Sequence, residues 1–187
     1  MTTITTPRTE TVTATSRTQE DVVTSVGARR VLAALRLTTG FIFLWAFLDK
    51  TFGFGYATAS ADAWIHGGAP SQGFLQFAAK GPLTGFFNGI ASPASDVLFI
   101  LGMLGVGLAV MLGIGTRVAA GAGALIMAMM WLAEWPLMAG STNPVIDYHI
   151  IYGLALVLFA LTAAGDTWGL GGWWKSLPVV QKNRWLV

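Results

Sequence analysis

Four apolar segments, each close to 20 residues long, constrain the fold of this chain more than any other feature. They cover approximately residues 30–50, 97–115, 117–135 and 144–165. A helix needs about 20 residues to cross the roughly 30 Å of hydrocarbon in a bilayer. Only 11% of the residues are charged, whereas soluble domains carry about 25%. The sequence therefore predicts an all-α integral membrane protein with four transmembrane helices.

The connection Gly115-Thr116-Arg117 is so short that the second and third helices must form an antiparallel hairpin. The positions of Lys and Arg then set the orientation, because cytoplasmic loops carry an excess of both. With a cytoplasmic amino terminus, the outer side receives only Lys50 and Lys80, and Arg36 lies near the inner side. The inner side receives Arg8, Arg17, Arg29, Arg30, Arg117, Lys175, Lys182 and Arg184. We expect an antiparallel four-helix bundle in the plasma membrane of a prokaryote, with both termini in the cytoplasm.

Three further segments complete the predicted organisation. Residues 1–28 are rich in Thr and lack an apolar run, which is typical of a disordered polar tail. Residues 53–93 lie outside and are predicted to form a helical lid over the membrane domain of residues 29–187. Beyond Gly165, the tryptophans Trp168, Trp173 and Trp174 are typical of an interfacial segment on the inner side.

Composition excludes several kinds of site. The chain has no cysteine, so it forms no disulfide and offers no thiolate to a metal or an iron–sulfur cluster. Its only histidines are His66 and His149, and we expect neither haem nor a metal centre in this chain. The basic residues are scattered rather than clustered on one stripe, so we expect no nucleic-acid partner.

Ionisable residues inside a membrane segment are costly and therefore indicate function. Glu134 ends the third helix, where the helix dipole disfavours a carboxylate, unless it is simply exposed at the headgroups. Asp147 has a structural explanation, because Asn143 and Pro144 are predicted to cap and start the fourth helix and a helix start favours a carboxylate. His149 has no such explanation, since a helix start disfavours imidazolium, although a packing role stays open.

The first helix carries Arg36 and Lys50 on one stripe, either facing the bundle or extending to the nearer interface. His66 lies in the predicted lid. Except for Arg36, these candidates map to the outer end of the bundle, where a quinone headgroup or a small external anion could bind. We assign proton handling to His149 and Glu134. Ligand binding is assigned to Lys50, His66, Asp147 and Arg36.

Small residues recur every four positions on the second helix, at Gly105, Ala109 and Gly113. Such spacing lets helix backbones approach closely in lipid. It predicts close packing within the chain, and a homo-oligomer interface is the alternative.

The chain resembles the DoxX family, and more closely its DoxD-like members. The resemblance rests on "LRLTTGFIFLWAFLDKTFG", "AWIHGGAPSQGFL" with "KGPLTGFF", "LGIGTRVAAGAGAL", and "NPVIDYHIIYGLAL" leading to "WGLGGWW". It implies a membrane subunit of thiosulfate:quinone oxidoreductase, using menaquinone or ubiquinone together with a separate partner subunit. Arg36, Lys50, His66, Asp147 and His149 stand at positions that carry these motifs. The alternatives are a non-catalytic accessory or scaffolding subunit of a respiratory membrane complex and, less favoured, a small-solute carrier.

Overall fold

The computed structural model describes residues 17–138, 141 and 143–187, and all the regular elements of these residues are helical. The longer helices are α1 (Val26–Phe52), α3 (Pro93–Leu112), α4 (Thr116–Glu134) and α5 (Tyr148–Leu161). The shorter ones are α2 (Thr84–Ile90), α6 (Gly171–Ser176) and α7 (Pro178–Lys182). By length and composition, α1, α3 and α4 can each cross a membrane. The described part of the chain is therefore all-helical and has three candidate membrane spans.

The four longer helices share one core. Helix α1 packs against α3 and α5, and α4 packs against the same two helices. Their buried apolar side chains form a continuous cluster that includes Phe43, Met103, Val106, Met127, Leu156 and Phe159. Many apolar side chains on the other helix faces are exposed, such as Leu98, Leu125 and Leu154. That distribution fits helices surrounded by lipid rather than by water.

Glycines allow α1 and α3 to approach closely, but Gly105, on the predicted stripe, is not one of them. A Cβ atom at Gly107 would lie 2.7 Å from the Leu44 nitrogen, and one at Gly40 would lie 2.9 Å from the Met111 nitrogen. Gly105 is exposed and has no atom within 4 Å of such a position. Of the predicted stripe, Gly113 does make a backbone contact, with Gly165. The spacing of four was therefore an incomplete guide to the packed face.

Helix α5 differs from the predicted segment of residues 144–165, because it has only 14 residues. Its N-cap is Asp147 rather than Asn143, and the Asp147 carboxylate accepts hydrogen bonds from the amides of His149 and Ile150. Asn143 instead accepts from the amides of Val145 and Ile146, which holds a turn ahead of the helix. At about 1.5 Å per residue, α5 spans about 21 Å, less than the hydrocarbon thickness.

The connection between α1 and α3 consists of short helical turns. The 3₁₀ turns are Ser60–Asp62, Trp64–His66 and Gly81–Leu83, and a π-helical turn covers Phe74–Ala78. Phe87 and Ala79 pack against Ala133 near the end of α4. The predicted lid of residues 53–93 thus corresponds to a segment that contacts the end of α4.

Two buried carboxylates fasten this connection to the helices. Asp96, in the first turn of α3, accepts hydrogen bonds from the Ser71 amide at 2.7 Å and hydroxyl at 2.8 Å, and also from Gln72. Asp49, near the end of α1, accepts from the amides of Tyr56 and Ala57. Each side chain satisfies loop amides that would otherwise be unpaired.

The predicted disordered tail of residues 1–28 needs correction at its end, while residues 1–16 lie outside the described part of the chain. Ser25 caps α1, which begins at Val26. Gln19 is buried and contacts the segment after α5. Its main-chain amide donates to the Asp166 carboxylate at 2.8 Å, and its side-chain oxygen accepts from the Thr167 hydroxyl at 2.6 Å. Thr18 donates two hydrogen bonds to Asp21, chiefly from its main-chain amide, and these lower the pKa of that carboxyl.

Candidate functional site

The structure brings together three of the predicted site residues, Glu134, Asp147 and His149. Ligand atoms of all three lie within 4.8 Å of one another. Glu134 is the last residue of α4, and Asp147 with His149 starts α5. The packing of α4 against α5 places these two helix ends side by side. We call these three residues the carboxylate–histidine cluster.

His149 is the deepest member of this cluster, with a side chain that is fully buried. Its Nδ1 atom lies 2.9 Å from Asp147 Oδ2. An ionised carboxylate there accepts the Nδ1 proton, which leaves the Nε2 lone pair free. Among the described residues Nε2 has no hydrogen-bond partner. The arrangement therefore presents a buried proton acceptor whose ring orientation is held by Asp147.

Asp147 also connects His149 to a polar cavity of about 920 Å³. Glu134 and Asp147 line this cavity together with Lys80, which was not among the predicted ligand-binding residues. Its other walls include Phe77, Trp135, Pro136, Met138, Ile146 and Tyr148. The Asp147 carboxylate therefore lies between the cavity and the buried imidazole of His149.

The wall at Trp135 has an unusual backbone. Trp135, the C-cap residue that follows α4, has a positive φ of 43°, a conformation that a bulky residue rarely adopts. Its ring packs over Gly81, whose own φ is 74°, and a Cβ atom at Gly81 would lie 2.5 Å from the ring's Cδ1 atom. The amide of the neighbouring Lys80 donates to the Ala133 carbonyl at 2.8 Å. This close contact fixes Lys80 beside Glu134 in the cavity wall.

Lys50 lies in a different cavity, of about 360 Å³. The lining is almost entirely apolar and includes Phe74, Phe87, Phe99, Met129 and Met130. Beside these side chains, Lys50 contributes the single cationic group, and Ser71 and Ser95 contribute hydroxyls. An apolar cavity with a few convergent polar groups is typical of a small-molecule site.

The two cavities lie on either side of the same short segment. Phe74 and Leu75 of the π-helical turn line the apolar cavity, whereas Phe77, Ala78 and Lys80 line the polar cavity. Helix α4 also lines both cavities, because Met129 and Met130 line the apolar cavity and Glu134 lines the polar cavity. A single small rearrangement of this segment would therefore alter both cavities together.

His66 is not part of the carboxylate–histidine cluster. It ends a 3₁₀ turn, is exposed, and its Nδ1 atom lies 2.6 Å from the Ser60 carbonyl oxygen. Its assignment to ligand binding stays a prediction, with a local hydrogen bond as its observed contact.

Arg36 lies elsewhere, fully buried in α1. Its Nε donates to Ala164 at 3.1 Å, and its Nη2 donates to Thr167 at 3.3 Å and to Trp168 at 2.9 Å. Its Nη1 donates to the carbonyls of Val110 and Met111, near the end of α3. All five N–H groups of the guanidinium are thus used by main-chain carbonyls. These contacts explain the burial of Arg36 without a ligand, and its assignment to ligand binding stays a prediction.

The carboxylate–histidine cluster also has the residue types of a metal site, which the sequence did not lead us to expect. However, Asp147 Oδ1 already accepts from the amides at the start of α5, and Asp147 Oδ2 accepts from His149. A metal ion bound at His149 Nδ1 would displace the hydrogen bond to Asp147 Oδ2, whereas one bound at the unpartnered Nε2 would leave that bond in place. The observed contacts establish Asp147 as the group that orients the His149 ring.

Sequence reasoning missed Lys80 and Asp96. Lys80 was assigned only to the outer side of the membrane, and the fold shows that it lines the same cavity as Glu134. Asp96 carried a detectable signal, since it is a lone carboxylate at the start of the apolar run "VLFILGMLG". The predicted helix began one residue later, at residue 97, and so excluded it.

No family model, curated protein or solved structure matches the chain. The resemblance to the DoxX family therefore stays a prediction based on the motifs above. The functional argument that follows rests on the two cavities and on the groups that line them.

Proposed function

We propose that this chain is the membrane subunit of a quinone-linked oxidoreductase, with the quinone ring in the apolar cavity at Lys50. One observation carries the proposal. An apolar cavity containing a single amine shares a wall segment with a polar cavity that is lined by two members of the carboxylate–histidine cluster, Glu134 and Asp147. Quinone reduction needs both an apolar ring site and a source of two protons.

The apolar cavity fits a quinone headgroup in chemistry and in size. Its volume of about 360 Å³ falls within the range of about 300–1,000 Å³ that is usual for small-ligand sites. Phenylalanine and methionine side chains suit the faces of a ring, and methionine adapts to irregular shapes. The Lys50 ammonium can donate to one ring oxygen. Menaquinone and ubiquinone share these features.

The carboxylate–histidine cluster provides the proton-handling groups. A buried His149 with an unpartnered Nε2 can take up a proton, and Asp147 stabilises the resulting imidazolium. Glu134 lies in the wall of the polar cavity, where it can exchange protons with the solvent side. When bound, the quinone would supply the electron-accepting chemistry, and these side chains would supply and orient protons.

The charges in the polar cavity favour protons over a small anion. Glu134 and Asp147 contribute two carboxylates, and Lys80 contributes one cation. A dianion such as thiosulfate would be repelled unless the carboxylates were protonated. Thiosulfate oxidation therefore fits best on the separate partner subunit that the DoxX resemblance implies. That partner would pass electrons to the quinone held here.

The membrane arrangement that we propose follows the predicted topology. Four helices cross the bilayer as an antiparallel bundle, and the residues flanking α5 complete its crossing. The side-chain positions support this orientation, because Arg17, Arg117, Lys175 and Arg184 line one cavity at one end of the helices. Lys50 and Lys80 belong to cavities at the other end. The first end is cytoplasmic by the positive-inside rule, and the connection between α1 and α3 then forms the outer lid.

The proposal is tested with purified protein in lipid nanodiscs, by measuring the binding of a short-chain menaquinone analogue. Lys50→Met should weaken binding about tenfold, the effect of losing one hydrogen bond from a charged donor. Lys80→Met is the matched control, because it removes the same charge from the polar cavity. Equal binding by the wild-type protein and the Lys50→Met variant would remove the proposed quinone site.

A second measurement addresses the carboxylate–histidine cluster. His149→Ala and Glu134→Gln should leave quinone binding within about threefold of wild type, and they should slow quinone reduction by the complex at least about a hundredfold, the lower range for general acid–base catalysis. Reduction at the wild-type rate in both variants would exclude a proton-handling role.

The alternative is an accessory or scaffolding subunit of a respiratory complex. Exposed aromatic side chains favour it, since Phe77 is 85% exposed and Tyr56 is 79% exposed on the connection between α1 and α3. Aromatic residues are enriched at protein interfaces. Co-purification with oxidase subunits, lost on Phe77→Ser, together with absent quinone binding, would establish this alternative instead.

A further inference from the structure

A basic cavity lies at the end of the helices opposite Lys50. It has a volume of about 420 Å³ and lies between the start of α4, the end of α5 and the carboxy-terminal segment. Four cationic side chains line it: Arg17, Arg117, Lys175 and Arg184. Neither the quinone proposal nor the proton-handling cluster uses this cavity.

The positive charge of this cavity is largely uncompensated. Asp166 is the acidic side chain in its lining, and it already lies 2.6 Å from Lys175 Nζ and 2.8 Å from the Gln19 amide. Within the described ranges, no carboxylate lies within ion-pair distance of Arg17, Arg117 or Arg184. Four segments of the chain therefore place cations around one concave space, and three of these cations have no carboxylate partner in the part of the chain that the structure describes.

The arrangement of the cations is held by main-chain contacts. Lys175 Nζ lies 2.9 Å from the Arg17 carbonyl oxygen, and Arg117 Nη1 donates to the Arg184 carbonyl at 3.3 Å. Lys175 is nearly buried, with a side chain only 10% exposed. These bonds join the amino-terminal segment, α4, α6 and a carboxy-terminal 3₁₀ turn (Arg184–Leu186) around the cavity. The side chains of Lys175 and Arg117 are therefore held at the cavity, whereas Arg17 and Arg184 contribute main-chain carbonyls to these bonds and have exposed side chains.

The start of α4 adds to the positive potential. Gly115 and Thr116 line the cavity, and Gly115 is an N-cap without a side chain to accept hydrogen bonds from the first amides of α4. Unpaired amides at a helix start favour a phosphate oxygen. Apolar residues of the lining, such as Leu161 and Leu186, would suit the hydrocarbon next to such a phosphate.

We propose that this cavity binds a phosphate group, carried by the headgroup of an anionic phospholipid or by free inorganic phosphate. Arg117 and Arg184 contact the phosphate oxygens, because their guanidinium groups match such oxygens in pairs. Lys175 and Asp166 hold the cavity wall. The apolar lining favours the lipid headgroup as the source, and the experiment distinguishes the two.

The experiment uses the full chain in detergent and measures binding of dioleoylphosphatidylglycerol and dioleoylphosphatidylcholine by native mass spectrometry. The double variant R117Q/R184Q should reduce the affinity for phosphatidylglycerol about 25-fold, from about fivefold for each cation near a membrane surface. The matched control R30Q/K182Q removes the same charge from exposed positions outside the cavity and should change the affinity less than threefold. R117K/R184K keeps the charge and should retain most of the binding, which separates loss of charge from misfolding.

Inorganic phosphate is the second probe, measured as a shift in thermal unfolding and as competition with phosphatidylglycerol. Stabilisation by millimolar phosphate with no preference between the two lipids would identify free phosphate as the source. Preference for phosphatidylglycerol without an effect of phosphate would identify the lipid. Equal losses in R117Q/R184Q and R30Q/K182Q, or no response to either probe, would overturn the proposal.

Discussion

Replacing Arg36 by Met should destabilise the protein severely, although Met has a similar length and would be well suited to a membrane helix. The guanidinium donates to five main-chain carbonyls: two near the end of α3 and three after α5. Carbonyls at a helix end have no partner within the helix, and they carry the negative end of the dipole. Arg36 therefore satisfies carbonyls from two segments at once and joins them to α1.

The size of this destabilisation follows from two opposing contributions to the free energy of unfolding. Hydrogen bonds to a charged group contribute about 1.5–3 kcal/mol each, so five bonds give a gross stabilisation of about 7–15 kcal/mol. Burying the guanidinium costs several kcal/mol, and water can reach some of the carbonyls once the side chain is removed. We expect Arg36→Met to lower the free energy of unfolding by about 3–5 kcal/mol, as when one partner of a buried charged pair is removed.

The assay is SDS-induced unfolding of the purified protein, followed by circular dichroism. Arg36→Lys should fall between wild type and Arg36→Met, because lysine keeps the charge but lacks the planar fork that reaches both segments. Arg30→Met, an exposed position on the same helix, is the control and should change the free energy of unfolding by less than about 0.5 kcal/mol. If Arg36→Met were as stable as Arg30→Met, the capping argument would be wrong. If it remained stable and lost quinone binding, Arg36 would be a ligand-binding residue after all.

Three further predictions concern packing, the connection and topology. Gly107→Ala should lower the free energy of unfolding by about 1–3 kcal/mol in the same assay, because its Cβ would meet the Leu44 backbone. Gly105→Ala should leave the free energy of unfolding nearly unchanged. Equal effects of the two substitutions would contradict the close contact of α1 with α3. Asp96→Asn should loosen the connection between α1 and α3, which Asp96 holds through Ser71. Limited proteolysis should then cleave this connection at least several-fold faster than in the wild-type protein. An unchanged cleavage rate would show that these hydrogen bonds do not restrain the connection. In intact cells, an impermeant amine reagent should label the exposed Lys80 but not Lys182, and the reverse pattern would invert the topology.

The helices were the most predictable part of the fold, since long apolar runs with few charges have few other solutions. Their ends were predicted less well, because capping depends on single side chains. Ser92 forms a capping box with Ser95 and starts α3 at Pro93, four residues before the predicted start. Asp147, assigned near the helix start on electrostatic grounds, is itself the cap.

The candidate site was predictable only in part, because it depends on which helix ends meet. Sequence placed Glu134 and His149 near the same end of the protein, and the packing of α4 on α5 brings them within reach of one another. Lys50 was predicted at that end too, but α1 packs on α3 and α5 rather than on α4, and Lys50 lines a separate cavity. Pairwise helix packing depends on side-chain shape over whole faces, which the spacing of small residues does not specify.

The position of Arg36 also has a consequence for how the chain is made. Its acceptors lie 74 to 132 residues further along the sequence. At a synthesis rate of about 5–20 residues per second, the last of them emerges about 7–26 s after Arg36. During that interval the Arg36 guanidinium lacks these acceptors, and the cost of about 2.5–3.5 kcal/mol for an Arg at the bilayer centre on insertion scales is an upper bound for its position nearer the inner side. In the proposed membrane arrangement we expect α1 to reach its final depth only after α5 is complete, so that the last long helix to be made completes the insertion of the first.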